Sequence, residues 1–198
     1  MAEVRPYRAG DLDALYDICL KTGDAGQDAT ALYKDRRILG DIYAAPYAAL
    51  EPQLAWVAED AGGVAGYILG AADTRAFEAR CEAEWWPPLR RRWPDTAGVA
   101  SGKRTRDEWA AYQIHHPLAA PQSVIEAAPA HLHIDLLPRL QGRGLGKALM
   151  DTWLAAVGGR AHLACHADNA RALRFYDRYG FRRLAGDWPA QVVFMAIG

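Results

Sequence analysis

An alternating segment from His131 to Leu137, HLHIDLL, runs through a proline into QGRGLGKALMDTWL, and this order of strand, glycine-rich turn and helix limits the folds open to the chain. The alternation puts Leu132, Ile134 and Leu136 on one face and His131, His133 and Asp135 on the other, the period of a strand in a half-buried sheet. Downstream, Leu145, Leu149, Trp153 and Val157 recur at helical spacing, and Gly158 ends the stripe. Between the two, Gly142, Gly144 and Gly146 leave main-chain N–H groups bare at a helix N-terminus, with Arg143 and Lys147 beside them. Such a turn suits a pyrophosphate, although an ordinary tight turn uses glycine just as readily. Two familiar phosphate motifs do not fit. Lys147 stands where G-x-G-x-x-G needs its third glycine, and Ala148 follows Lys147 where a P-loop needs Ser or Thr.

Around this segment, helical and strand periods alternate, which predicts mixed α and β layers in one domain spanning residues 1–198. The predicted elements are a first strand in AEVRPYRA, a helix in GDLDALYDICLKTG, and a hairpin of LAWVAED with VAGYILGAAD. AHLACH, DNARALRFYDRYGF and the pair FRRLAGD with AQVVFMAIG predict a strand, a helix and a final strand pair. The segment from Tyr43 to Pro52 either closes over a ligand or packs on the core. From Thr74 to Pro121 the composition changes, gathering Trp85, Trp86, Trp93 and Trp109 with Arg90, Arg91, Arg92, Lys103, Arg104 and Arg106. This stretch, about 74–121, is an elaboration that can serve as acceptor pocket, partner surface or packed lid.

A formal net charge of -1 gives no bulk pull toward nucleic acid, despite the interleaved aromatics and bases. No membrane span is expected either, because the longest weakly polar run, AGGVAGYILGAA, is broken by glycines and too short to cross a bilayer. Cys19, Cys81 and Cys165 are odd in number and far apart, as expected of reduced structural thiols in a cytoplasmic protein. No set of histidines and carboxylates has metal-ligand spacing, and His115 and His116 read as loop surface.

DLLPRLQGRGLGKAL resembles the acetyl-CoA signature of the GNAT N-acetyltransferases, Q/R-x-x-G-x-G/A, with Gln141, Gly144 and Gly146 filling it. Asn169 after the next strand and Tyr176 seven residues later continue the likeness. The segment from Trp56 to Pro94 further resembles the acetyltransferase-like C-terminal domain of the O-GlcNAcases and its free-standing bacterial relatives. Some members of that group lack a usable cofactor loop, whereas this chain retains one. The resemblance implies the GNAT fold: a mixed, mostly antiparallel α/β (α+β) sheet with splayed central strands and helices on both faces.

It also implies direct acetyl transfer from acetyl-CoA to a primary amine, on a small molecule or a protein lysine, in a monomer or homodimer. The alternative is a non-catalytic acyl-CoA-binding or protein-interaction module. The positions that the resemblance assigns to coenzyme A are the main chain of Leu136 and Leu137, the turn from Gln141 through Gly142, Arg143, Gly144, Leu145 and Gly146 to Lys147, and Asn169. Asn169 can equally cap the following helix. Tyr176 is the implied general acid for the leaving thiolate and a cofactor contact; its other reading is a core aromatic. Asp135 is the leading base. His133 can orient it or act as the base itself, and the two can also be a satisfied polar pair. His166 ranks below them.

Overall fold

A computed structural model describes residues 2–198. Seven strands form one sheet: β1 (Glu3–Pro6), β2 (Ala55–Asp60), β3 (Gly63–Ala71), β4 (Ala130–Leu136), β5 (Ala161–His166), β7 (Val192–Ile197) and, at the far edge, β6 (Arg182–Arg183). Every neighbouring pair is antiparallel except β4 with β5, which run parallel. The predicted hairpin is the β2–β3 pair, closed by a turn in which the Asp60 carboxylate accepts from the Gly62 N–H at 2.9 Å.

The helix α1 (Leu12–Thr22) buries Leu15, Ile18 and Cys19, the stripe that its sequence predicts. Two short helices follow, α2 (Ile38–Tyr43) and α3 (Ala45–Leu50), in a stretch for which the sequence predicts no helix. Tyr47 is buried and stacks on Phe77 at 4.4 Å between centroids, so this segment packs on the core. The helix α8 (Leu145–Ala156) follows the glycine turn, and α9 (Ala170–Tyr179) lies beside it, joined by the Tyr179 hydroxyl donating to Asp151 at 2.6 Å. Asn169 caps α9, accepting from the Ala172 N–H at 3.1 Å, and Gly180 ends it at φ 114°.

Residues 74–121 contribute α4 (Thr74–Arg80), a π turn (Cys81–Trp85), α5 (Trp86–Arg92) and α6 (Arg106–His115). A further helix, α7 (Gln122–Ala127), leads into β4. Several of the aromatic and basic side chains of this stretch are engaged in packing, while Arg91, Lys103, Arg106 and Trp109 stay exposed. The Trp85 indole donates to the Asp41 carbonyl at 2.8 Å, Trp86 is buried, and Arg90 binds the Ile114 carbonyl and Glu82. Arg92 pairs with Asp35 at 2.9 Å, and Arg104 lies 3.9 Å over the Tyr112 ring. His115 and His116 are likewise held, by the Trp93 carbonyl and by Asp95.

The two faces of β4 meet different helices. Gly70 lies opposite Leu132, and a Cβ there would sit 2.4 Å from the Trp153 ring, so α8 presses directly on that face. The opposite face carries His131, His133 and Asp135, aligned with Ala71, Leu69 and Tyr67 of β3 and approached by Tyr47 of α3.

Candidate active site

β4 and β5 stay in register only at Ala130 with Ala161 and at His131 with His162. Beyond that they part. The Leu137 N–H donates to Ala65 at 2.8 Å, and its carbonyl accepts from Leu140 at 3.0 Å. Because main-chain groups alternate sides along an antiparallel ladder, the Leu136 N–H points the other way, into the gap that β5 has left. The Leu137 N–H and one lone pair of its carbonyl are thus used within the protein, which leaves the Leu136 N–H as the free donor at the strand end. The Leu136 carbonyl is taken by the Gln141 Nε2 at 2.6 Å, while the Arg171 guanidinium donates to the Gln141 Oε1. Gln141 therefore ties the end of β4 to α9.

At the mouth of the gap, Gly142 and Gly144 adopt φ 71° and 80°, and a Cβ on either would meet nothing within 4 Å. Gly146 is different, since its bare Cα faces the Phe175 ring of α9 at 3.5 Å from the Cβ position. That is ordinary van der Waals distance, so the packing of α8 on α9 does not by itself require glycine there. Among the described residues no acceptor meets the N–H groups of residues 142 to 147. Six consecutive free donors at the start of α8 fit a pyrophosphate, with the helix dipole adding to them. Leu145 is buried and offers this cradle only its main chain. Arg143 is exposed at the rim, and the Lys147 ammonium is paired with Asp151 at 2.7 Å.

Two recesses flank the turn. One, of about 420 Å3, is lined by Lys147, Asp151, Phe175, Arg178 and Tyr179. The other, of about 440 Å3, lies between the end of α1 and the start of the turn, with Lys21, Gly26, Gln27, Asp28, Leu137, Pro138 and Arg139 around it. Gly26 brings this second recess against Asn169, for a Cβ there would be 2.9 Å from the Asn169 Nδ2.

On the polar face, the Tyr67 hydroxyl donates to Asp135 Oδ2 at 2.7 Å, and burial pushes the Asp135 carboxyl above the usual aspartate range against that pull. Tyr47 lies between the two histidines, its Oη 2.9 Å from His131 Nε2 and 3.1 Å from His133 Nε2. Burial drives the His133 imidazole down to about 4 and His131 well below its ordinary value. Both rings are neutral at pH 7. Tyr176 is buried between Phe175 and Phe181, yet among the described residues its hydroxyl has no hydrogen-bond partner, and it is not sealed from open space. Burial raises it, with Cys165 of β5 and Asp135 of β4 adding to the rise. His166 instead accepts the Asp168 N–H at 3.2 Å and lies toward solvent. Sequence reasoning missed Tyr47, Tyr67 and Thr74, which buttress this face from distant segments.

A sheet opened between parallel neighbours, with a helix N-terminus and bare glycine loop at the opening, leaves unpaired main chain between its strands and free N–H donors at its mouth. The profile described as acetyltransferase (GNAT) domain matches residues 108–183. The crystal structure of SsHAT superposes with a TM-score of 0.89 at 42% identity, covering 98% of this chain and 96% of that one. The rat (Rattus norvegicus) protein O-GlcNAcase is 23% identical over 97% of this chain, which spans about 21% of that relative's length. The PaiA N-acetyltransferase from Thermoplasma acidophilum, solved with coenzyme A, shares the fold at a TM-score of 0.57 and 13% identity, over 99% of this chain and 98% of that one. The chain belongs to the GNAT acetyltransferase family, acyltransferases that draw on acetyl-CoA.

Proposed function

We propose that this chain transfers an acetyl group directly from acetyl-CoA to a primary amine, with all of residues 1–198 acting as one domain and residues 74–121 as a packed elaboration of it. The observation that carries the reading is the unpaired gap between β4 and β5, with the Leu136 N–H free in it and six free N–H groups at its mouth. When bound, acetyl-CoA supplies an activated thioester carbonyl. The main chain of residues 142 to 147 holds the pyrophosphate, Asn169 Nδ2 donates to the pantetheine arm while Oδ1 keeps its cap, and the recess beside Arg178 takes the adenosine 3′-phosphate.

The acceptor amine enters by the recess between α1 and Leu137. Asp135 or His133 takes its proton, the Leu136 N–H stabilises the carbonyl oxygen as it gains charge, and Tyr176 returns a proton to the sulfur as the C–S bond breaks. Either a small-molecule amine or a protein lysine satisfies this chemistry. The near-neutral charge favours neither nucleic acid nor membrane as partner, and we place the activity in the cytoplasm.

The test incubates the protein and its Gly144→Val variant with acetyl-CoA and a panel of small amines and lysine peptides, following free thiol and acetylated product by mass spectrometry. Acetylated product with the wild type alone supports the reading. Acetyl-CoA binding without turnover on any acceptor overturns it in favour of a binding module.

A further inference from the structure

A chain of hydrogen bonds runs under the polar face of β4, and counting its protons settles their places. The Thr74 hydroxyl lies 2.7 Å from the Pro129 carbonyl, which can only accept, so the single hydroxyl proton points there. Its lone pair then faces His131 Nδ1 at 2.8 Å, and that nitrogen must carry a proton. Since His131 is neutral, its Nε2 is bare and takes the Tyr47 hydroxyl proton at 2.9 Å. The Tyr47 oxygen is left to accept from His133 Nε2 at 3.1 Å. His133 therefore carries its proton on Nε2. Its Nδ1 keeps a lone pair, has no partner among the described residues and is not one of the sealed polar atoms.

We infer that Tyr47 and Thr74 are positioning residues: through His131 they lock His133 into the Nε2–H tautomer, so that a bare Nδ1 is presented on the face where the amine must lose its proton. This deepens the acetyl-transfer reading and rests on it for the role of His133, but the tautomer lock itself stands on the hydrogen-bond geometry together with the neutrality that burial imposes on His131. The helix α3 has no other polar link to β4 in the chain of bonds. Its attachment by one tyrosine makes the lock removable without opening the core, because the Tyr47 ring is held separately by its stack on Phe77.

The experiment reads tautomers directly, from long-range proton–nitrogen spectra of the free protein labelled with 15N-histidine at pH 7, with no acceptor or acetyl-CoA present. His133 is expected as a pure Nε2–H tautomer and His131 as a pure Nδ1–H tautomer. Tyr47→Phe should turn His133 into a mixture of both forms. Thr74→Val should release His131, and Thr74→Ser should restore the wild-type pattern, which separates the hydroxyl from mere packing. With an acceptor in hand, Tyr47→Phe should lower kcat roughly tenfold with KM for acetyl-CoA unchanged. An Nδ1–H tautomer on His133, a charged imidazole at pH 7, or an unaltered His133 signal in folded Tyr47→Phe overturns the inference. Correct tautomers in a protein that acetylates nothing would sink the acetyl-transfer reading and leave the lock intact.

Discussion

Tyr67 and Asp135 face one another as register partners on β3 and β4, and the phenol donates to Asp135 Oδ2 at 2.7 Å, while the Thr22 hydroxyl of α1 also bears on the carboxylate. The carboxylate is thus anchored on the polar face of β4 from two elements. In Asp135→Asn the amide oxygen can still accept from Tyr67, so folding and acetyl-CoA affinity should persist. Turnover should fall by roughly 10²-fold if the carboxylate accepts the proton. Calorimetric titration and steady-state rates decide it: joint loss of fold and binding assigns Asp135 a structural role, and unchanged turnover assigns the proton to His133.

Removing the Tyr176 hydroxyl breaks no hydrogen bond within the protein. Tyr176→Phe should therefore leave the unfolding free energy from urea titration within about 0.5 kcal/mol of wild type, keep acetyl-CoA affinity, and lower kcat by roughly 10²-fold. A kcat equal to wild type, measured where chemistry limits the rate, would return Tyr176 to the ring cluster with Phe175 and Phe181.

Arg178 lines the recess between α8 and α9, where Lys147 is already committed to Asp151. If the 3′-phosphate binds there, Arg178→Ala should weaken coenzyme A by about tenfold, the worth of one charge-assisted contact, and barely change the affinity for dephospho-coenzyme A. Equal losses for both ligands would place the phosphate elsewhere.

Stability should fall on acidification from about pH 6.5 to about pH 4. Burial holds His131, His133 and His162 below their ordinary values, so across this window the unfolded chain binds protons that the folded chain refuses. Asp41 and Asp135, raised by burial, work in the opposite direction over the lower part of the same range. The imidazoles act from about pH 6.5 downward, before the two carboxyls begin to titrate, so the net effect between pH 7 and pH 5 is a loss. Urea midpoints at pH 7 and pH 5 measure it, and a midpoint equal or higher at pH 5 refutes the assignment of neutral buried rings.

Local signals carried the parts of this molecule that depend on local physics. The alternation of residues 131–136 became β4, and AHLACH became β5 from end to end. Asn169 and Gly180 bracket α9 because a side-chain acceptor and a left-handed position are each readable one residue at a time. The helices α2 and α3 escaped because each is six residues long and they meet at Ala44, which leaves no sustained period to read. The helix α6 did have a legible start, Thr105 with Glu108, whose side chains satisfy each other's N–H groups. What surrounds His131, His133 and Asp135 could not be read at all. Tyr47 and Thr74 are 84 and 57 residues from His131, and Tyr67 is 68 from Asp135. Those pairings exist only once the sheet is assembled.

The two-register seam between β4 and β5 makes the sheet, mechanically, a plate of four strands and a plate of three hinged on a short clasp. Amide protons along the open edge of β4 should exchange with solvent far faster than those facing β3, although they lie at the centre of the sheet. A ligand main chain laid in the gap would stitch the plates together as a borrowed strand. Binding would then protect amides on both sides of the seam at once, so the protein would register occupancy as stiffness spread across its whole width.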